Sequence, residues 1–135
     1  MSERWTRLPA LMLSIALLAC PGQAAESGKV APATTRWRAG EQVRVEGRVI
    51  RILPDDRDGS PHQRFIIQVD RGLTLLVSHN LDLAPRLNGL AVGDQVVVAG
   101  EYEWNDRGGT VHWTHDDPQG RHPAGYVEWR GRRYQ

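Results

Sequence analysis

The chain has 135 residues, 17 basic against 16 acidic side chains, five histidines and a single cysteine. A lone cysteine excludes an internal disulfide framework and a cysteine-ligated zinc. The charge balance speaks against nucleic acid as a partner, because proteins that bind it carry a basic excess or stripe.

The N-terminus predicts export. Arg4 and Arg7 precede an uncharged apolar run, Leu8 to Ala19, which has the length of a signal-peptide core and is short for a bilayer span. Gly22 and Ala24 are spaced for cleavage after Ala24. Residues 1–25 are read as a signal peptide, and the working protein as periplasmic or secreted. Cys20 opens an alternative. Leu17-Leu18-Ala19-Cys20 resembles a lipobox, which would lipidate Cys20 and anchor the protein in the outer membrane; only then is the membrane a partner. Removing residues 1–25 takes away Glu3, Arg4 and Arg7 and leaves 15 basic and 15 acidic side chains. What remains is long enough for one small domain.

Residues 26–38 are rich in Ala, Thr and Pro without periodicity and read as a flexible linker, with an ordered end at Trp37. The domain is expected over 39–135. Gln42 to Leu53 alternates through Val43, Val45, Val49 and Leu53, which predicts a half-buried strand, and Gly47 marks a bulge or bend in it. Leu53 to Pro61 is a polar loop. His62 to Val69 and Leu73 to His79 form a hairpin around Asp70-Arg71-Gly72. With Gly72 as a left-handed bulge, Val69 faces Leu73, Ile67 faces Leu75 and Phe65 faces Val77. That register puts His79 beside Gln63 on the core side and His62 beside Asn80 on the other.

Leu81, Leu83, Ala84 and Leu87 are spaced for a short helix within Asn80 to Leu90, limited by Pro85. Gln95 to Trp104 is the next strand, with Val96, Val98, Gly100, Tyr102 and Trp104 on one face. Asn105 to Gly109 is a hairpin loop, Thr110 to His115 a strand, Asp116 to Gly125 a loop and Tyr126 to Arg130 a last strand. The order β-β-β-α-β-β predicts an all-β domain with one short helix: a small OB-like five-stranded Greek-key barrel, with an SH3-like barrel as the alternative.

Two groups of residues invite chemistry. His112, His115, Asp116, Asp117 and His122 fall within eleven residues, and His62 and His79 lie upstream. Histidine is the commonest metal ligand and a general base near neutral pH. On a strand His112 and His115 point to opposite faces unless a bulge intervenes, as do His62 and His79, so one ion held by all five histidines is not expected. A smaller set drawn from His115, Asp116 and His122 with His79 or His112 could hold a divalent ion such as zinc. The same segment also reads as a loop held by side-chain bonds to the backbone, with Asp116 or Asp117 in an Asx turn before Pro118.

The second group is aromatic: Tyr102, Trp104 and Trp113, with Asn105 beside them. Exposed, they would stack a ligand; buried, they fill a small barrel, and the strand alternation predicts burial for Tyr102 and Trp104. Asp55-Asp56-Arg57-Asp58-Gly59 lacks the ligand spacing of a calcium loop. No phosphate loop or nucleophile elbow appears. With no complete catalytic set, the reading is a non-catalytic module for an unidentified ligand. It presents the outer side of the second and third strands, rimmed by the 55–60 and 105–109 loops. The rivals are a metal-dependent hydrolase and a structural envelope protein.

Longer motifs add a resemblance. Gly100-Glu101-Tyr102-Glu103-Trp104-Asn105, Gly108-Gly109, His112-Trp113-Thr114-His115 with Asp117-Pro118, and His122-Pro123-Ala124-Gly125 resemble an exported bacterial family, domain of unknown function 3465. Leu53-Pro54-Asp55-Asp56, His62-Gln63 with Phe65, and His79 to Arg86 resemble it too. Asp116 departs from the pattern, where a histidine or basic residue is expected. The resemblance implies no activity.

Overall fold

The computed structural model describes residues 36–135. The expected signal peptide over 1–25, Cys20 and most of the 26–38 linker lie outside the described residues.

Among the described residues seven strands form one sheet: β1 (Glu41–Asp56), β2 (His62–Asp70), β3 (Leu73–Asn80), β4 (Gln95–Glu103), β5 (Thr110–His112), β6 (Tyr126–Trp129) and β7 (Arg132–Tyr134). Their order is β1-β2-β3-β5-β4-β6-β7, and β1 also pairs with β4. Five strands therefore close into a ring, in which β3 and β5 run parallel and the other pairs antiparallel. This is the expected OB-like arrangement, a long first strand serving both halves of a small Greek-key ring.

Gly47 is the pivot of that strand. Arg48 is opposite Gln95 of β4 and also opposite Gln68 of β2. The turn from one partner to the other brings β2 so close that a Cβ on Gly47 would sit 2.9 Å from the Gln68 carbonyl oxygen and 3.2 Å from Ile67 Cβ. A residue with a side chain would push the two halves apart.

The ring encloses Val43, Val45, Val49, Phe65, Ile67, Leu75, Val77, Val98, Tyr102, Val111 and Val127, all buried. Period-two alternation delivers them, since every second residue of each strand turns inward. Trp37 closes one end, its ring 5.6 Å from that of Tyr102.

The β2–β3 register matches expectation for Ile67 with Leu75, Phe65 with Val77, Gln63 with His79 and His62 with Asn80. The expected Val69–Leu73 pair does not form. Asp70 takes the place opposite Leu73, and Val69 becomes the extra residue of a bulge beside left-handed Gly72. β1 runs on to Asp56, so the polar loop starts later than Leu53. The short helix expected over 80–90 is absent; no helix occurs among the described residues. A single helical turn begins there, with Ala84 N–H donating to the Asn80 carbonyl. Pro85 cannot extend it, and the Gln63 side chain captures both backbone groups of Leu87 instead. Trp104 lies beyond the end of β4 and is 59% exposed, against the expected burial, whereas Tyr102 is fully buried. β5 is only three residues long. The last strand is one arm of a hairpin with β7, turned by Arg130 and Gly131 at φ 51° and 72°. Two consecutive positive φ values are the geometry of a two-residue hairpin turn.

Candidate functional site

β4 alternates, so Tyr102 points into the ring while Glu101 and Glu103 point out on one face. Pairing sets Glu101 directly opposite His112 of β5, with Glu103 opposite Thr110. The His112 Nε2 atom then lies 3.8 Å from Glu101 Oε1 and 3.8 Å from Glu103 Oε1. Neither distance is a hydrogen bond. His112 Nε2 is buried and has no hydrogen-bond partner among the described residues.

The chain leaves β5 sharply. Trp113 adopts φ 54°, a left-handed conformation that costs a bulky residue roughly 1 to 3 kcal/mol and persists only where the surroundings enforce it. The turn lays the indole on the ring of His122, centroids 4.2 Å apart and planes within 15°. His122 Nε2 lies 2.7 Å from Glu101 Oε2, and its Nδ1 is 2.8 Å from the Pro123 carbonyl oxygen. Because carbonyl and carboxylate oxygens only accept, both ring nitrogens donate, and the ring held between them is an imidazolium. Burial opposes a charge on this ring, but the bonds to Glu101 and the Pro123 carbonyl outweigh it and raise its pKa. The hydrogen bond from His122 in turn holds the Glu101 carboxyl below its usual range.

Asp117 shapes the loop that brings His122 back. Its carboxylate accepts from Gln119 N–H at 3.0 Å and Arg121 N–H at 2.8 Å, an Asx turn across Pro118. These backbone bonds, Gln119 first, lower its pKa. Asp116 is exposed, and its carbonyl oxygen lies 2.7 Å from His115 Nδ1. His115 is buried. With His62, Asn80, Leu83, His112 and Trp113 it lines a cavity of about 210 Å³ beside the Glu101–His112 pair. His62 Nδ1 is tied to the Ser60 carbonyl at 2.7 Å.

His79 stands apart from these. It is fully buried, with Nδ1 2.7 Å from Thr114 Oγ1 and Nε2 3.0 Å from the Pro85 carbonyl oxygen. Burial, with nearby His115 and His62, lowers its pKa to about 4. The ring is neutral near pH 7, donating from Nε2 and accepting the Thr114 hydroxyl proton at Nδ1. Both nitrogens are spoken for.

The sequence-derived candidates thus divide. His112 and His122 converge on Glu101, His62 and His115 line the adjoining cavity, and Asp117 braces a loop. His79 locks the interior. Glu101 and Glu103 are absent from the candidates read off the sequence. Their signal was there, two carboxylates two residues apart on a strand and so on one face. What the sequence lacked was the β4–β5 register that puts His112 between them.

Of the ligand-binding candidates, Tyr102 is core, its hydroxyl donating to the Gly108 carbonyl. Asn105 organises its own loop by accepting from Arg107 and Gly109 N–H. Trp104 and Trp113 are exposed. A second concavity of about 380 Å³ lies on the outer face of the ring. Leu53, Ile66, Thr74 and Leu76 form its floor, and Asn105, Asp106, Arg107 and Gly109 its rim.

A family model described as a protein of unknown function, DUF3465, matches residues 11–135. No curated protein and no solved structure matches the chain.

Proposed function

The chain belongs to the DUF3465 family, whose description names no activity, and from that premise we propose that it is a non-catalytic ligand-binding module working outside the cytoplasm. The observation that carries this reading is the groove across β1, β2 and β3. Outward positions of a small ring are ordinarily polar, yet Leu53, Ile66 and Leu76 come together there under the Asn105–Gly109 loop. Ile66 and Leu76 are direct cross-strand partners, so the apolar floor is continuous. A concave apolar floor with a few polar groups at its edge is the usual form of a small-molecule site.

The rim suggests the ligand class. Asn105 is engaged with its own loop, which leaves the Arg107 guanidinium and the Asp106 carboxylate at the edge. An amphipathic small molecule with an apolar body and an anionic end suits this arrangement. Extended nucleic acid does not, given the balanced charge.

A thermal-shift and chemical-shift titration against medium-chain carboxylates, short peptides and oligosaccharides tests the reading. Resonances of Leu53, Ile66 and Leu76 are expected to move with the carboxylates. Leu76→Asp is expected to abolish binding and Arg107→Ala to weaken it about tenfold, the loss of one charge-assisted bond. No response to any of the three classes overturns the reading.

A further inference from the structure

Independently of the groove, we propose that Glu101, Glu103 and His112 bind one divalent transition-metal ion on the outer face of β4 and β5, with His122 positioning Glu101. The three residues each offer a ligand atom within 4.8 Å of the other two. Around an ion with bonds of about 2.0 to 2.2 Å, ligand atoms lie roughly 3 to 3.5 Å apart. The 3.8 Å separations from His112 Nε2 to both carboxylates therefore need only small side-chain rotations to close on an ion.

The bare nitrogen of His112 is the decisive feature. Its Nε2 is buried and unpartnered among the described residues while two carboxylate oxygens face it. Both separations are too long for a hydrogen bond, so the nitrogen is left without one. A cation between the three groups satisfies the nitrogen and both carboxylates at once.

The surroundings are those of a metal ligand set. Glu101 uses Oε2 for His122 at 2.7 Å and keeps Oε1 toward His112. His122 is oriented by the Pro123 carbonyl on one ring nitrogen and by Trp113 against its face. Ligating carboxylates in protein metal sites are commonly held by an outer hydrogen bond of this kind, which fixes their orientation. One imidazole with two carboxylates suits zinc, manganese or iron(II) better than calcium, which takes six to eight oxygens. Three protein ligands leave further coordination positions open for water or a ligand.

The full chain, prepared without a polyhistidine tag and stripped with chelator, is titrated calorimetrically with Zn²⁺, Mn²⁺ and Ca²⁺, and bound metal is then measured by mass spectrometry. One equivalent of Zn²⁺ or Mn²⁺ is expected at micromolar Kd or tighter, with Ca²⁺ far weaker. His112→Ala and Glu101→Gln are expected to weaken binding at least 100-fold. His122→Gln is expected to weaken it 10- to 100-fold, the loss typical for an outer partner. His62→Ala and His115→Ala are expected to stay within about twofold, as is the groove variant Leu76→Asp. Circular dichroism of each variant separates lost ligation from lost fold, and Glu101→Gln keeps the side-chain shape. Cobalt substitution adds a visible spectrum that His112→Ala must change. The proposal is overturned by the absence of stoichiometric binding, by affinity unchanged in His112→Ala and Glu101→Gln, or by affinity that follows His62 or His115 instead.

Discussion

His79 Nδ1 lies 2.7 Å from Thr114 Oγ1, a buried bond that fastens β3 to the segment leaving β5. With Nε2 donating to the Pro85 carbonyl as well, one neutral imidazole joins three parts of the chain. Its pKa of about 4 makes that lock sensitive to acid. The unfolded chain protonates His79 near the ordinary value of about 6.5, while the folded state resists until about pH 4. Between those values only the unfolded state takes up the proton, so stability falls as pH falls from about 6.5 to 4 and levels off below. The full loss is about 3 kcal/mol, at 1.36 kcal/mol per pH unit. His122 works in the opposite direction. Its pKa is raised, so its contribution is complete below 6.5 and lost as pH rises through the folded value. Urea unfolding at half-unit steps from pH 4 to 8 is expected to show this maximum, and Thr114→Val to lower stability throughout by about 1 to 3 kcal/mol. A flat profile between pH 6.5 and 4 contradicts it.

Gln63 makes a comparable lock by amide. Its Nε2 donates to the Leu87 carbonyl at 3.1 Å and its Oε1 accepts from Leu87 N–H at 2.9 Å. The side chain thus pairs with the backbone of the 80–90 segment as a strand would. Gln63→Leu fills the same space but strands two backbone groups away from water, at a cost of about 2 to 4 kcal/mol. Amide exchange at Leu87 is expected to accelerate more than at Val77 in the same variant. Equal changes at both positions would mean that Gln63 supports the whole ring and not this segment.

How far these features were readable in the sequence depends on the range of the interaction. The β2–β3 hairpin was legible because its register is set locally, by the turn at Gly72 and by matched apolar pairs. The order of strands followed from their patterning and from the bend at Gly47. The 80–90 segment departs from its local pattern because helical spacing of Leu81, Ala84 and Leu87 is a weak local preference, and the Gln63 amide overrides it from 24 residues away. The cluster on β4 and β5 was half legible. His112 and His122 stand out by composition, but Glu101 and Glu103 look like ordinary surface charges until the β4–β5 register places them around His112.

Gly100 governs that register. Its position on β4 is covered so closely by β5 that a Cβ would meet Thr114 Cγ2 and Val111 Cγ1 at 3.0 Å each, and the His112 carbonyl oxygen more closely still. Backbone cannot yield as a flexible side-chain tip can. Gly100→Ala is expected to destabilise the domain by about 2 to 4 kcal/mol, the range of overpacked and backbone-strained sites. It should also pry His112 from Glu101. Thermal denaturation and the chemical shift of His112 are the measurements. A stable Gly100→Ala protein with an unmoved His112 resonance would show that β4 and β5 separate more easily than their contacts suggest.

Trp113 offers an optical report on the same cluster. Its indole lies parallel to His122 at 4.2 Å, and His122 is bonded to Glu101. When His122 is protonated, the stack becomes a cation against a π face, worth about 0.5 to 1 kcal/mol at a partly exposed site. The charged ring also withdraws electrons from the excited indole, so fluorescence falls as His122 gains its proton. Since the His122 pKa is raised, the midpoint of this quenching is expected above 6.5 and not below it. Glu101→Gln removes the anion that favours the charged ring and should move the midpoint down. Trp113→Phe should erase the pH-dependent component while the other tryptophans keep their emission, at a stability cost of no more than about 1.5 kcal/mol for the altered aromatic pair. A midpoint that ignores Glu101→Gln would mean that another group, and not the Glu101–His122 pair, titrates beneath Trp113.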